Sequence, residues 1–253
     1  MRSVSILAIA TLGLSAVLAS AQPPRRTDPN AERAQIHYRL GWESLRSEAW
    51  DAAAKEFQQA IDLNPKLTLA YYGLGKAFMG SRRYADAARA YETCRDFYVS
   101  KAGEKFSGQF DATRVRQDRL MELQDLAQQY SKGPQTPQAQ DAQRQIQNAI
   151  RSTQEATDRG VNLNIDASAP AFVSLALGSA YFRANRTADA EREYKVAINV
   201  DPGAGEAHNN LAVVYMLTGR LDDAAKEVAL AEKVGFRVNP EFKKDLAARR
   251  NPK

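Results

Sequence analysis

The sequence predicts a stacked array of repeated units, arranged as two pairs with a helical insert between them and a closing helix at the end. Gly41 and Gly75 stand 34 residues apart, and at the same step Leu40 matches Leu74, Ala53 matches Ala87, Phe57 matches Tyr91 and Ala60 matches Cys94. A downstream pair keeps that step: Leu177, Ala190, Tyr194 and Ala197 recur as Leu211, Ala224, Val228 and Ala231, with Ala212 standing where Gly178 sets a glycine. A period of roughly 20–50 residues marks units that cannot bury an apolar face alone and therefore stack on their neighbours.

The pattern resembles the tetratricopeptide repeat, which places a large residue, Leu-Gly, Tyr, then Ala, an aromatic, Ala and Pro at fixed offsets along two antiparallel helices. The resemblance implies an all-α solenoid with helices A and B in each unit. It covers units 1 and 2 over residues 34–101 and units 3 and 4 over about 171–238, within a terminal block 169–253. Gly41, Gly75 and Gly178 are expected to let helix A approach helix B, opposite Ala53, Ala87, Ala190 and Ala224. Phe57, Tyr91 and Tyr194 fill the gap to the next hairpin, and Pro65 and Pro202 end helix B because proline cannot continue a helix interior. Val99 and Phe236 stand where this proline belongs in units 2 and 4, the ends of the two pairs. His37, Tyr71, Ser174 and His208 occupy a slot where the family often has Trp.

Met1 to Ala21 reads as a secretory signal peptide: Arg2, an apolar run from Val4 to Leu18, and Ala19-Ser20-Ala21 before a cut at Gln22. The apolar run is shorter than the roughly 20 residues that span hydrocarbon. No transmembrane segment is expected after its removal, and the protein is expected to be periplasmic or secreted. Residues 22–33 form a linker and the start of the first helix, where Asp28-Pro29 supplies an N-cap followed by proline in the first turn.

Residues 102–168 break the pattern. Lys101 to Gly108 reads as a polar loop, and Leu120, Leu123, Ala127 and Tyr130 then form a narrow helical stripe. Gly133, Pro134 and Pro137 mark a turn, after which Ala139, Ala142, Ile146, Ala149, Thr153 and Ala156 alternate in steps of three and four. Such stripes fit an antiparallel helical hairpin with a thin coiled-coil seam of mostly small residues. A pair of degenerate repeats is the alternative, but Gln109, Gln143, Asp125 and Arg159 fall in slots that need glycine or an aromatic. After a connector from Val161 to Ser168, Pro170 opens the second pair. Asn239-Pro240 caps a last helix in which Phe242 and Leu246 cover the open edge of unit 4, as a terminal solenoid element must.

A formal charge of +5, spread along the helices, points away from nucleic acid, which needs basic residues gathered on one face. The cluster Lys243, Lys244, Arg249, Arg250 and Lys253 reads as a solvated helix end. The single cysteine, Cys94, sits in a small-residue slot and reads as a buried stand-in for alanine. No phosphate loop, HExxH or nucleophile elbow is present, so neither a catalytic nor a metal site is assigned and no cofactor is expected. Asn185-Arg186-Thr187 is a glycosylation sequon at an expected A–B turn.

The resemblance directs function to the concave face, lined by helix A at repeat positions 2, 5, 9 and 12. Those positions supply Tyr38, Trp42 and Leu45 in unit 1, Leu69, Tyr72 and Met79 in unit 2, Phe172, Leu175 and Phe182 in unit 3, and Val213 and Met216 in unit 4. Aromatic and methionine side chains there suit a surface that engages a protein chain. The Lys and Asn slots with which some family members clamp a carboxylate hold Tyr38, Trp42 and Gly73, and Asn210 alone matches. The expectation is a non-enzymatic interaction scaffold holding a protein or peptide partner in the cell envelope. The alternative is a structural homo-oligomer that fills its own groove and associates through the hairpin.

Overall fold

The computed structural model describes residues 28–103, 109–158 and 169–251. The expected signal peptide and the Val161–Ser168 connector lie outside them. Eleven helices and no strand occur among the described residues: α1 (Pro29–Arg46), α2 (Trp50–Leu63), α3 (Thr68–Gly80), α4 (Tyr84–Gly103), α5 (Gln109–Ser131), α6 (Pro137–Asp158), α7 (Ala171–Arg183), α8 (Thr187–Val200), α9 (Gly205–Leu217), α10 (Leu221–Lys233) and α11 (Pro240–Arg250). Pairs α1–α2, α3–α4, α7–α8 and α9–α10 are the four repeat hairpins. α5–α6 is the insert and α11 the cap, so the molecule is an all-α tetratricopeptide-type solenoid.

Each A-to-B turn closes by the same device. After helix A, one residue takes a left-handed backbone: Glu48 (φ 56°), Arg82 (φ 60°), Asn185 (φ 61°) and Gly219 (φ 78°) hold one repeat slot. The next amide reaches back to helix A, as Arg83 N donates to Phe78 O at 2.8 Å, Arg186 N to Tyr181 O at 2.8 Å and Arg220 N to Tyr215 O at 2.8 Å. This is the Schellman closure, which satisfies orphan carbonyls at a helix end. The same three arginines lay their guanidinium groups over those three rings, at 4.3, 4.2 and 4.3 Å. Those three turns are thus held by backbone and by a cation–π contact, and the first, with Ala49 in the arginine slot, by backbone alone.

The packing adds a ring to the expected pairing of glycine with alanine. The nearest neighbours of a Cβ built on Gly41 are ring atoms of Phe57 at 2.8 Å, and on Gly73 they are ring atoms of the same Phe57 at 2.4 Å. Gly75 meets Tyr91 at 2.5 Å and Gly178 meets Tyr194 at 2.7 Å. The helix B ring therefore presses on bare helix A backbone, and Phe57 is wedged between two successive A helices. Cys94 is fully buried in its slot.

Proline decides where helix B stops. α2 and α8 end before Pro65 and Pro202, but with Val99 in the closing slot α4 runs on to Gly103, three residues into the stretch expected as loop. In unit 4 a left-handed Gly235 closes the helix instead, with Phe236 N bonded to Ala231 O at 2.9 Å.

The solenoid closes again behind the insert. α4 packs directly on α7, with Arg95 Nη1 2.7 Å from Glu193 Oε1 and the Tyr181 hydroxyl donating to Glu92. The rings of Tyr72 and Phe172 meet edge-on at 5.2 Å. Units 3 and 4 are tied by Arg220, whose fork reaches Glu191 at 2.9 and 2.5 Å while Lys195 lies 2.7 Å away. These donors hold the Glu191 carboxyl well below its ordinary range, at about 2. α11 covers unit 4 with buried Leu246, and Arg250 bonds Asp222 at 2.8 Å.

Two outcomes follow. Gly73→Ala should drive a methyl into Phe57 and lower the unfolding free energy by about 1–3 kcal/mol, and adding Phe57→Leu should recover part of that loss in urea titrations. Glu191 is ionised in the folded state at pH values where the unfolded chain, near 4.5, takes up a proton. Its contribution is complete above that range and is lost as pH falls toward 2. Glu191→Gln should therefore lower Tm at neutral pH and flatten its fall between about pH 5 and 2.

Candidate functional site

The helices A present their inward rows to one face, and the insert occupies much of it. Tyr130, at the end of α5, is the central contact: its ring centroid lies 5.6 Å from that of Trp42, and its hydroxyl is 3.0 Å from the Tyr72 hydroxyl. Arg46 reaches Gln129 at 3.4 Å, and Arg119 lies over the Tyr98 ring at 5.1 Å. On the other arm, Asn148 of α6 donates to Asp201 at 3.0 Å. The hairpin is held together by Leu123, Leu126 and Ile146, all fully buried. Leu126, which lies outside the stripe expected for α5, is buried with them.

The placement corrects the expectation of an open aromatic groove. Seven of the eleven expected contact residues, Tyr38, Trp42, Leu45, Leu69, Tyr72, Phe172 and Leu175, are buried within the chain. Trp42 and Tyr72 lie under Tyr130, and Tyr72 and Phe172 join unit 2 to unit 3. Burial pushes the hydroxyls of Tyr38 and Tyr72 well above the usual tyrosine range, with the charge of Asp125 adding to the effect at Tyr38 and Tyr130 at Tyr72. An apolar helix face is buried equally well by a partner or by the chain itself, and here the hairpin covers it.

The remaining four, Met79, Phe182, Val213 and Met216, are only partly buried. Met79 of α3, Phe182 of α7 and Val213 of α9 converge on a cleft of about 440 Å³, together with Tyr194 and with polar Ser179, Arg183, Glu206 and Asn210. Burial raises the Glu206 carboxyl above its ordinary range, while the charge of Lys76 opposes the shift. Beside this cleft, a cavity of about 320 Å³ runs beneath the hairpin between Tyr72, Tyr130 and Phe172, with Lys76 5.2 Å from the Tyr130 ring. Lys76 and Tyr130 are site residues that the repeat positions did not single out by character. Tyr130 was visible only as the one aromatic in the insert's first stripe.

The two histidines pack structurally, as their shared slot implies. His37 Nδ1 lies 2.8 Å from Glu56 Oε2 and His208 Nδ1 lies 2.7 Å from Glu227 Oε2, each pairing with the glutamate 19 residues on. Asn185 of the sequon lies exposed at its turn.

Two family models match, one described as tetratricopeptide repeat over residues 175–237 and one as TPR repeat over residues 46–81. The chain is a tetratricopeptide-repeat protein. No curated protein matches it. Solved structures similar to this repeat protein include a thermophilic TPR protein of Thermus thermophilus, at 20% identity over 86% of this chain and 98% of that one, with a TM-score of 0.35. PilW, described as a type IV pilus biogenesis factor, aligns at 14% identity over 86% of each chain with a TM-score of 0.40. A Pseudomonas aeruginosa pilF structure aligns at 14% identity over 87% and 90%, with a TM-score of 0.33. The tetratricopeptide fold is that of a protein–protein interaction scaffold, and among the described residues no helix is long and apolar enough to cross a membrane.

Tyr130→Ala should unseat the hairpin tip. In a Trp50→Phe background, emission from Trp42 should shift to longer wavelength and become more accessible to acrylamide, with helicity by circular dichroism nearly unchanged. An unaltered Trp42 spectrum would contradict the contact described here.

Proposed function

We propose that this repeat protein is a non-enzymatic interaction scaffold of the cell envelope, in which the hairpin closes the first half of the concave face and the second half receives a partner segment. The observation that carries this reading is the cleft at Met79, Phe182 and Val213. It joins apolar side chains from three successive A helices to the polar groups of Arg183, Glu206 and Asn210. A segment that inserts one or two apolar side chains and offers polar backbone to that rim matches its chemistry. Each such side chain contributes roughly 1.5–3 kcal/mol when fully buried, so after ordering costs the complex is of about micromolar strength or weaker.

Export rests on the leader-like residues 1–21, and a periplasmic or secreted location is part of the proposal. A second reading is favoured by the burial of Tyr38, Trp42 and Tyr72 beneath the chain's own hairpin: a structural protein whose groove is filled internally and whose hairpin mediates self-association.

The test compares capture from envelope extract of the source organism by the parent and by a Phe182→Asp, Val213→Asp variant, both checked for helicity. A partner retained by the parent and lost by the variant is the expected result. Equal capture by both would move the interaction away from the cleft. Mass analysis of the protein from a periplasmic fraction should give a chain beginning at Gln22, and an uncleaved chain confined to the cytoplasm would end the envelope assignment.

A further inference from the structure

The two ends of the solenoid are finished differently. In units 2, 3 and 4 the third and seventh repeat positions of helix A pack against the preceding unit. Ala70, Val173 and Ala207 are completely buried, and Leu74, Leu177 and Leu211 retain 7%, 0% and 2% exposure. No unit precedes unit 1 among the described residues, and the residues in the same two slots, Ile36 and Leu40, are 47% and 40% exposed. At the far end α11 supplies the cover, with Leu246 buried and Phe242 packed against the core. The first helix carries the stacking face of a repeat with no unit stacked on it among the described residues.

The charges around that face indicate what it fits. Arg33, Ile36, Leu40 and Glu43 are spaced three, four and three residues apart, which aligns them in one stripe along α1. Arg33 and Glu43 are both exposed, and neither has an ion pair or side-chain hydrogen bond among the described residues. The stripe is self-complementary when two copies meet antiparallel. A dyad midway between positions 36 and 40 puts Ile36 against the second copy's Leu40, and Arg33 against its Glu43, with both contacts occurring twice. A parallel approach would set like charges together. An isologous contact across a two-fold axis requires this self-matching of a single patch, and at the shallow crossing of about 20° the charged ends stay within reach.

We infer that α1 is a self-association surface, which pairs two copies of this chain antiparallel through Ile36 and Leu40 with reciprocal Arg33–Glu43 contacts. Because α11 covers the stacking face of unit 4, the contact closes at two copies and does not propagate head to tail. The patch is small, so association is weak and reversible, with a dissociation constant on the order of 100 µM. This inference is independent of the cleft on the concave face, and it places self-association on the first helix, away from the hairpin.

Sedimentation equilibrium of the purified protein across about 5–500 µM tests it. The parent should shift from monomer to dimer over that range. Leu40→Arg should weaken the dimer at least about tenfold, and so should Arg33→Glu or Glu43→Arg alone, since each exposed pair contributes modestly and two are reversed at once. The double reversal, Arg33→Glu with Glu43→Arg, should restore the parent's constant to within about threefold, a recovery that loss of folding cannot mimic. A parent that remains monomeric at the highest concentration overturns the inference. So does a dimer indifferent to all three single substitutions, or one lost through Tyr130→Ala and retained by Leu40→Arg.

Discussion

The close approach of an aromatic ring to bare helix backbone is the constraint on which this architecture depends. Phe57 lies between Gly41 of its own unit and Gly73 of the next, so one ring fixes both the separation within a hairpin and the step to its neighbour. Tyr91 and Tyr194 press on Gly75 and Gly178 in the same way. Unit 4 alters both partners together: Ala212 replaces the glycine and Val228 replaces the ring. The added methyl on helix A is matched by a smaller side chain on helix B, which keeps the pair near native packing density.

Given that constraint, the insert can leave the array without disturbing it. Units 2 and 3 meet through Tyr72 and Phe172 in the core and through Arg95 and Glu193 at the edge, much as directly consecutive units do. The hairpin then folds back over the surface that the array leaves free. Its Tyr130 provides an aromatic body for Trp42 and a hydroxyl for Tyr72, so a tyrosine buried by the contact keeps a hydrogen-bond partner.

Most of the fold was legible because packing imposes residue size at fixed offsets. Gly41, Phe57, Pro65 and their equivalents identified the units, their phase and the helices within them. The ring nearest each glycine was not read, since spacing alone does not show which helix B side chain approaches the bare backbone most closely. The candidate site was legible in part. Repeat position singles out an apolar row along the A helices, but the same row serves a partner or the protein's own insert equally well. What separates the two is the tertiary position of α5–α6, which depends on Tyr130 meeting Trp42 across 88 residues of chain. The arginine staples at 83, 186 and 220 were readable in principle, as each follows its aromatic by five residues in three units.

The direct α4–α7 junction also governs how the molecule carries mechanical load. Tension applied along the array passes from unit 2 to unit 3 chiefly through that interface while it holds, with the hairpin's own contacts to Trp42, Tyr72 and Asp201 as a lighter path beside it. Rupture of the junction would put the whole load on α5 and α6 and release their length. The insert therefore acts as slack in parallel with the solenoid, and the bonds of Arg95 and Tyr181 set the point at which that slack is drawn.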